Sequence, residues 1–165
     1  MDYFDKYRKF SKGWRDDPPA KIYTNILFGP GHHLTPEFRN KHSITHVINC
    51  AFDEYSPIWF RNEFPNNYYC IQAEDSEHVD ITKWFPEFEH CMNDFLQQPD
   101  VKTIYVHCQC GINRSAFLCL VYACKKFKYT FDEAAKNILL QRPCALSNQL
   151  FKRQCRYYIE NLPNK

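Results

Sequence analysis

The sequence predicts an α/β domain: a central, largely parallel sheet flanked by helices. Three observations carry this. Short β-branched or aromatic runs alternate with segments whose apolar residues recur at helical spacing, a pattern that lays strands side by side under helices. The run Thr103-Ile104-Tyr105-Val106 passes through His107-Cys108-Gln109-Cys110-Gly111-Ile112-Asn113-Arg114-Ser115 into the apolar stretch Ala116 to Phe127, so a strand, a tight loop and a helix follow one another directly. The 165 residues, 44% hydrophobic and 17% aromatic, suit one core burying about two-thirds of the unfolded surface.

Tyr3, Tyr7, Phe10 and Trp14 form one helical stripe over residues 1–15, with Lys6, Arg8, Lys9, Lys12 and Arg15 around it. Asp16-Asp17-Pro18-Pro19 ends it. An N-terminal amphipathic helix and linker over 1–20 is therefore expected to precede a main domain over 21–165. The stripe either packs on its own domain or docks on a second copy or partner.

Lys21-Ile22-Tyr23 and Ile26-Leu27-Phe28 read as two short strands around Thr24-Asn25, and Gly29-Pro30-Gly31 breaks the second. Thr35-Pro36-Glu37 reads as an N-cap with proline at the first helical position, opening a short helix to about Lys41. Ile44 to Cys50 is a buried strand. Residues 51–67 lack periodicity and hold Pro57, Pro65, Asn66 and Asn67, so they read as loop. Tyr68 to Ile71 is a further strand. Ile81, Trp84, Phe85, Phe88, Cys91, Met92 and Phe95 share a helical face. Pro86 is awkward inside one helix, so a turn should come first and the main helix should begin near Pro86. Ala116 to Phe127 is apolar nearly all round and reads as a central buried helix. Thr130-Phe131-Asp132-Glu133 is a capping box for a helix to about Gln141, before Pro143. Ser147 is the expected cap of a last helix.

Net charge is +2 but uneven: residues 53–100 carry 11 acidic and 2 basic side chains, and residues 142–165 carry 5 basic and 1 acidic. An acidic middle with a basic tail does not suit a nucleic-acid cradle. No apolar run is long enough to span a bilayer and the opening is polar, so neither a membrane span nor a signal peptide is expected. Nine cysteines, several inside apolar runs, read as free buried thiols. Without a C-x-x-C pair no metal site is expected, and no other cofactor is implied. A working thiolate needs a reducing compartment, so the cytoplasm or nucleus is expected.

The loop after Val106 suits an anion. Successive backbone N–H groups in such a turn point inward, and the helix N-terminus behind them adds unpaired donors and partial positive charge. Gly111 permits a turn that a side chain would hinder. Arg114 offers a planar fork matching two phosphate oxygens. Gln109, Cys110, Gly111, Ile112, Asn113 and Arg114 are thus candidate phosphate-binding residues. A field of this kind favours thiolate over thiol, and a thiolate at Cys108 facing a phosphate is a nucleophile aimed at phosphorus. The bland alternative is a buried structural cysteine beside a surface arginine. Ser115 can donate its hydroxyl to the sulfur, or cap the following helix. The departing oxygen needs a proton from another loop. Asp75, just past the strand Tyr68 to Ile71, lies on the expected rim; by spacing alone, Glu77 and Asp80 compete with it.

The pattern H-C-x-x-G-x-x-R-S resembles the signature of the cysteine-dependent protein tyrosine and dual-specificity phosphatases. Ile26-Leu27-Phe28-Gly29, Ser43 to Asn49 (with Ser43 where glycine is usual), Ala73-Glu74-Asp75 with Asp80 to Phe85, and Arg142-Pro143 through Gln154 resemble further segments of the dual-specificity type. The likeness covers roughly residues 21–162. It is closest in character to the small single-domain members, atypical or poxvirus-type. It implies a protein tyrosine phosphatase-like fold, with 21–165 as a dual-specificity phosphatase catalytic domain. It implies Cys108 as nucleophile, Arg114 as phosphate clamp, Asp75 as general acid and Ser115 as aid to thiolate departure. His107 supports the loop and helps keep the thiol ionised, Asn113 braces it, and Asn148 bonds it from behind; Ser147 replaces a usual proline. The implied partners are proteins phosphorylated on tyrosine, serine or threonine. Some small viral members dimerise through an N-terminal helix, which extends to this chain the reading of a homodimer. Two alternatives stand beside this: an RNA 5′-phosphatase of the capping type, echoed by Gly111-Ile112-Asn113-Arg114, and a pseudophosphatase that binds phosphorylated partners. The uncharged loop residues argue against phosphoinositides. Cys110 reads as a small residue in a crowded loop, or as a redox partner of Cys108, a role equally open to Cys50. Gln154 reads as packing.

Overall fold

The computed structural model describes Asp2 and residues 4–163. Among them, five strands build one sheet: β1 (Ala20–Tyr23), β2 (Ile26–Pro30), β3 (Ile44–Asn49), β4 (Tyr68–Cys70) and β5 (Thr103–Cys108), in the order β1-β2-β5-β3-β4. Only the hairpin β1–β2 is antiparallel; β2–β5, β5–β3 and β3–β4 are parallel. The central strand β5 is covered on both faces, which is why it reads as a continuous apolar run. Side chains alternate along it. Ile104, Val106 and Cys108 join the large core beneath α4 (Phe85–Leu96), α5 (Arg114–Phe127), α6 (Phe131–Gln141) and α7 (Gln149–Glu160). Tyr105 joins a smaller core with Leu34, Val47 and Phe60, backed by α2 (Pro36–His42) and α3 (Ile58–Glu63). Period two therefore sends Cys108 to the α5 side and His107 to the other.

Local signals place most boundaries. Thr35 Oγ1 accepts from Phe38 N to open α2. Thr130 and Glu133 complete a capping box on α6. Asp80 caps a 3₁₀ turn, Ile81–Trp84, that leads directly into α4. Ser43 ends α2 in the left-handed region at φ 55°, the conformation for which glycine is the usual choice.

Four expectations need correction. β2 does not break at Gly29 but runs to Pro30, whose backbone is extended (φ −81°, ψ 153°) and which lies beyond the last β1 pair, Ala20 with Phe28, where the strand has a free edge on that side. Residues 51–67 are not plain loop: they hold α3, too short at 6 residues to show a periodicity. The last helix is capped by Asn148, whose Oδ1 accepts from Phe151 N at 3.0 Å, and not by Ser147.

The N-terminal stripe is the fourth. Only one helical turn forms, α1 (Asp5–Arg8). The Asp17 carboxylate accepts from Ser11 Oγ and Lys12 N, both at 2.6 Å, and the chain turns at Gly13 with φ +94°. This folds the segment back on itself. Phe4 and Tyr7 enter the large core, Phe10 is 68% exposed, and Trp14 lies edge-on to His32 at 5.2 Å. Tyr3 lies outside the described residues. The Arg8 guanidinium donates to the carbonyls of Pro143, Ala145 and Leu146. Of the two readings of this segment, packing on its own domain is what the structure has.

Phe4 stacks near-parallel on Phe131 with centroids 6.1 Å apart, and Lys152 Nζ lies 4.1 Å from its ring centre. Phe4→Ala is therefore expected to lower the unfolding free energy by about 3–5 kcal/mol, as for other buried phenylalanines. Urea titration measures it. A loss below about 0.5 kcal/mol, the scale of a surface substitution, would show that the N-terminal segment is peripheral to the core.

Candidate active site

Cys108 ends β5 at 2% exposure, and its Sγ lies 3.2 Å from Ser115 Oγ. Ser115 lies inside α5 and does not cap it; the cap position belongs to Asn113, which makes no side-chain capping bond. Between strand and helix, no amide from Gln109 to Asn113 donates to a protein acceptor among the described residues. A run of unpaired N–H groups at the start of a 14-residue helix is a ready anion cradle. Gly111 holds the turn at φ +63°. A Cβ there would lie 2.4 Å from Gly29 C and Pro30 N, so both conformation and contact demand glycine.

Arg114 is 7% exposed. One guanidinium nitrogen donates to Ala73 O at 3.0 Å, and its buried Nε has no hydrogen-bond partner among the described residues. Its fork is thus oriented by one bond and keeps a donor available, which is costly unless an acceptor arrives. Ala73 begins the segment that carries Asp75, so the same arginine ties the loop after β5 to the loop of the candidate acid.

A cavity of about 520 Å³ lies over Cys108, lined by Gln109, Cys110, Ile112, Asn113 and Arg114 and walled by Phe52, Tyr55, Glu74, Asp75 and Ser76. Of the three carboxylates weighed from spacing, only Asp75 lines it. Glu77 sits 3.7 Å from His78, and Asp80 is engaged as a helix cap. Glu74, not considered from the sequence, lines it too. The acid segment is held at both ends. Ala73 N donates to Cys50 O, Asn148 Nδ2 donates to Asp75 Oδ1 at 3.3 Å, and Gln154 bonds Val79 O and Ile81 N.

The residues behind the loop divide the work differently from the sequence-based expectation. Asn113 Oδ1 accepts from the backbone N–H of Ser147 (3.0 Å) and of Asn148 (2.9 Å). The Asn148 side chain faces α7 and Asp75 instead of the loop. A proline at 147 would forfeit its N–H bond, so serine there adds a tie. Ile112 O accepts from Leu146 N at 2.7 Å.

His107 is fully buried. Its Nδ1 lies 3.2 Å from Cys108 O, which can only accept, so Nδ1 carries the hydrogen; Nε2, 3.0 Å from Ser56 Oγ, then accepts from that hydroxyl. Burial pushes the imidazole down to about 4, with the Arg114 charge working in the same direction. The ring is neutral at pH 7, so it holds the loop backbone rather than supplying a positive charge to the thiol.

Arg142, which the sequence offers only within the likeness over Arg142-Pro143 through Gln154, supports the loop through two of its carbonyls. Fully buried, it donates from Nε to Gly111 O (2.7 Å), from one terminal nitrogen to Cys110 O (2.8 Å) and Trp14 O (2.7 Å), and from the other to Asp17 O (2.6 Å) and Pro18 O (3.2 Å). The available signal was an arginine directly after an apolar helix and before a proline. Ser56, in a stretch read as loop, left no signal. Cys110 is half-buried, and burial raises its thiol above the ordinary value, with the Cys108 charge adding to this. All nine cysteines are free, and among the described residues no group of three or more His, Cys, Asp or Glu could hold a metal ion.

His107 makes stability depend on pH with a definite sign. Unfolded, it binds a proton near 6.5; folded, only near 4. Protons therefore favour the unfolded chain, and the contribution is complete above pH 6.5 and lost as pH falls towards 4. His32, His33 and His42, also lowered by burial, add to the same window, whereas Asp2 and Asp17 act below their ordinary 3.8. In His107→Asn, which keeps a donor for Cys108 O, the fall of Tm between pH 6.5 and 4 should be shallower than in the parent. Equal slopes would contradict the neutral buried ring.

The family described as "Dual specificity phosphatase, catalytic domain" matches residues 26–161. The chain is 31% identical over 141 residues to dual specificity protein phosphatase 1-B of Xenopus laevis, covering 82% of this chain and 36% of that protein. It is 29% identical over 140 residues to human dual specificity protein phosphatase 4, covering 82% and 33%. It thus spans about a third of those relatives' length. Among solved structures, the human tyrosine phosphatase-like serine/threonine/tyrosine-interacting protein superposes with a TM-score of 0.72 at 23% identity, over 85% of this chain and 94% of that one. The family match spans the strand-end cysteine, the amide loop and the buried arginine of this chain, and the chain belongs to the dual specificity phosphatase catalytic-domain family.

Proposed function

We propose that this chain hydrolyses phosphomonoesters on phosphotyrosine, phosphoserine and phosphothreonine of proteins through a cysteinyl-phosphate intermediate. One observation carries the reading: Cys108 Sγ lies at the foot of a cavity where unpaired loop amides and the partnerless Nε of Arg114 converge.

The phosphate seats on the amides of residues 109–114 with the Arg114 fork on two of its oxygens. The Cys108 thiolate attacks phosphorus in line. The S–P bond forms as the P–O bond to the substrate breaks, and Asp75 gives its proton to the departing oxygen. Asp75, now a carboxylate, takes a proton from water as that water attacks the phosphocysteine. The S–P bond breaks, inorganic phosphate leaves, and the Ser115 hydroxyl, 3.2 Å from the sulfur, stabilises the returning thiolate. Phe52, 37% exposed, and Tyr55 wall the entrance and suit the ring or carbon stem of the phosphorylated residue. Glu74 and Asp75 on the rim disfavour a polyanion such as an RNA end. A thiolate nucleophile among nine free thiols suits the reducing cytoplasm or nucleus.

Hydrolysis of a small aryl phosphate in reducing buffer tests the reading. Cys108→Ser should abolish turnover while still binding phosphate. Residual hydrolysis in that variant would sink the covalent mechanism, and an inactive parent that still binds phosphopeptide would instead support the pseudophosphatase alternative.

Asp75→Asn should lower kcat by roughly 10²-fold on substrates with poor leaving groups and much less on good ones. If Glu74→Gln shows that leaving-group dependence and Asp75→Asn does not, the acid is Glu74.

A further inference from the structure

Beside the cavity over Cys108 lies a second one of about 610 Å³, whose walls include Trp14, Leu34, Tyr55, Pro57, Trp59 and Gln109. Tyr55 and Gln109 belong to both cavities, so the second continues the first on one side, and no residue of the Glu74–Ser76 segment is shared.

Its aromatic walls are held in place from behind. Trp59 Nε1 donates to Leu34 O at 3.1 Å. The backbone of Trp14 is fixed through its carbonyl to Arg142, its ring meets His32 edge-on at 5.2 Å, and the Arg15 guanidinium covers it at 4.4 Å. Gly31 lets the Tyr55 segment close on His107: a Cβ there would lie 2.1 Å from Tyr55 O and 3.0 Å from His107 Nδ1. Trp14, Tyr55 and Trp59 are only half-buried. Arg15 and Glu54 at the edge bring one charge of each sign, so the surface selects on apolar area more than on charge. A rigid, half-exposed aromatic shelf opening into a phosphate-binding cavity is shaped for a neighbour of the phosphorylated group.

We propose that this shelf is a specificity subsite, taking a large apolar or aromatic side chain that flanks the phosphorylated residue of a protein substrate on one side. This rests on the phosphatase reading above. Trp14 and Arg15 lie outside the family match over 26–161, so the N-terminal segment supplies part of a subsite that the matched region lacks.

The test is a phosphotyrosine peptide panel on an alanine background, with phenylalanine moved through each neighbouring position on either side. A small aryl phosphate, too short to reach the shelf, runs beside it. The parent should favour phenylalanine by roughly tenfold in kcat/KM, mostly through KM, at positions confined to one side. In Trp14→Ala and Trp59→Ala the ratio between the phenylalanine peptide and its alanine counterpart should collapse towards one. That ratio, taken within one preparation, is insensitive to a partly unfolded sample. A flat scan, an equal preference on both sides, or a preference kept in both variants overturns the subsite while aryl phosphate turnover leaves the phosphatase reading intact. No turnover of aryl phosphate or of any peptide removes that reading and the subsite with it.

Discussion

A guanidinium buried without a carboxylate in contact is the constraint on which the rest of this structure depends. Arg142 donates to carbonyl oxygens from all three of its nitrogens. A buried charge is tolerable when every donor is bonded, and each charge-assisted bond is worth about 1.5–3 kcal/mol. Because the acceptors are neutral carbonyls, the positive charge remains uncancelled by its direct partners. Two of those carbonyls, of Cys110 and Gly111, belong to the loop over which an anion would sit. The same side chain therefore fixes the backbone of the loop and leaves a positive field behind it, in series with the α5 N-terminus and Arg114.

The site is assembled from segments far apart in the chain, and each is tied to its neighbour by a buried polar contact. The Arg114 fork reaches Ala73 O, setting the segment that carries the candidate acid Asp75 relative to Cys108. Asn113 gathers the amides of Ser147 and Asn148, and Asn148 passes that order on to Asp75. His107 links Cys108 O to Ser56, and so to the stretch that walls the cavity. These contacts lie on opposite faces of the sheet, because Cys108 and His107 are consecutive on β5. The alternation of a strand thus lets one dipeptide present a sulfur to α5 and a neutral imidazole to the layer of α2 and α3.

Wherever a local rule sufficed, the sequence was legible. The glycine that must turn, the cap at Thr35, the capping box at Thr130 and the turn before Pro86 are each set within a few residues, and the strands follow from β-branched runs. What failed needed partners distant in sequence. The spacing of Tyr7, Phe10 and Trp14 satisfies a helix, but the Asp17 carboxylate offers Ser11 and Lys12 competing bonds and Gly13 turns the chain, so the stripe splits between the core and a surface shelf. Helix α3 is too short for periodicity to register, and Phe60 shows its purpose only against Val47 and Tyr105. Ser147 and Asn148 are adjacent and both suited to cap; Asn113 Oδ1 also accepts from the Ser147 hydroxyl at 3.4 Å, which leaves the Asn148 side chain to cap α7. Glu74 and Asp75 cannot be told apart by spacing, since both reach the rim.

The N-terminal segment shows how far the site extends beyond the matched region. Three of the carbonyls that hold Arg142, those of Trp14, Asp17 and Pro18, precede residue 26. Arg8 binds three further carbonyls at 143–146, the stretch whose Leu146 amide holds Ile112 O. Without the segment, Arg142 would keep Cys110 and Gly111 but lose partners for one terminal nitrogen and share its charge with incoming water. The loop would then be held by a solvated arginine free to change rotamer, instead of one locked by its partners. Residues before the first matched strand are on this account part of the loop's scaffold, and the same residues that hold Arg142 from behind place Trp14 beside the cavity in front.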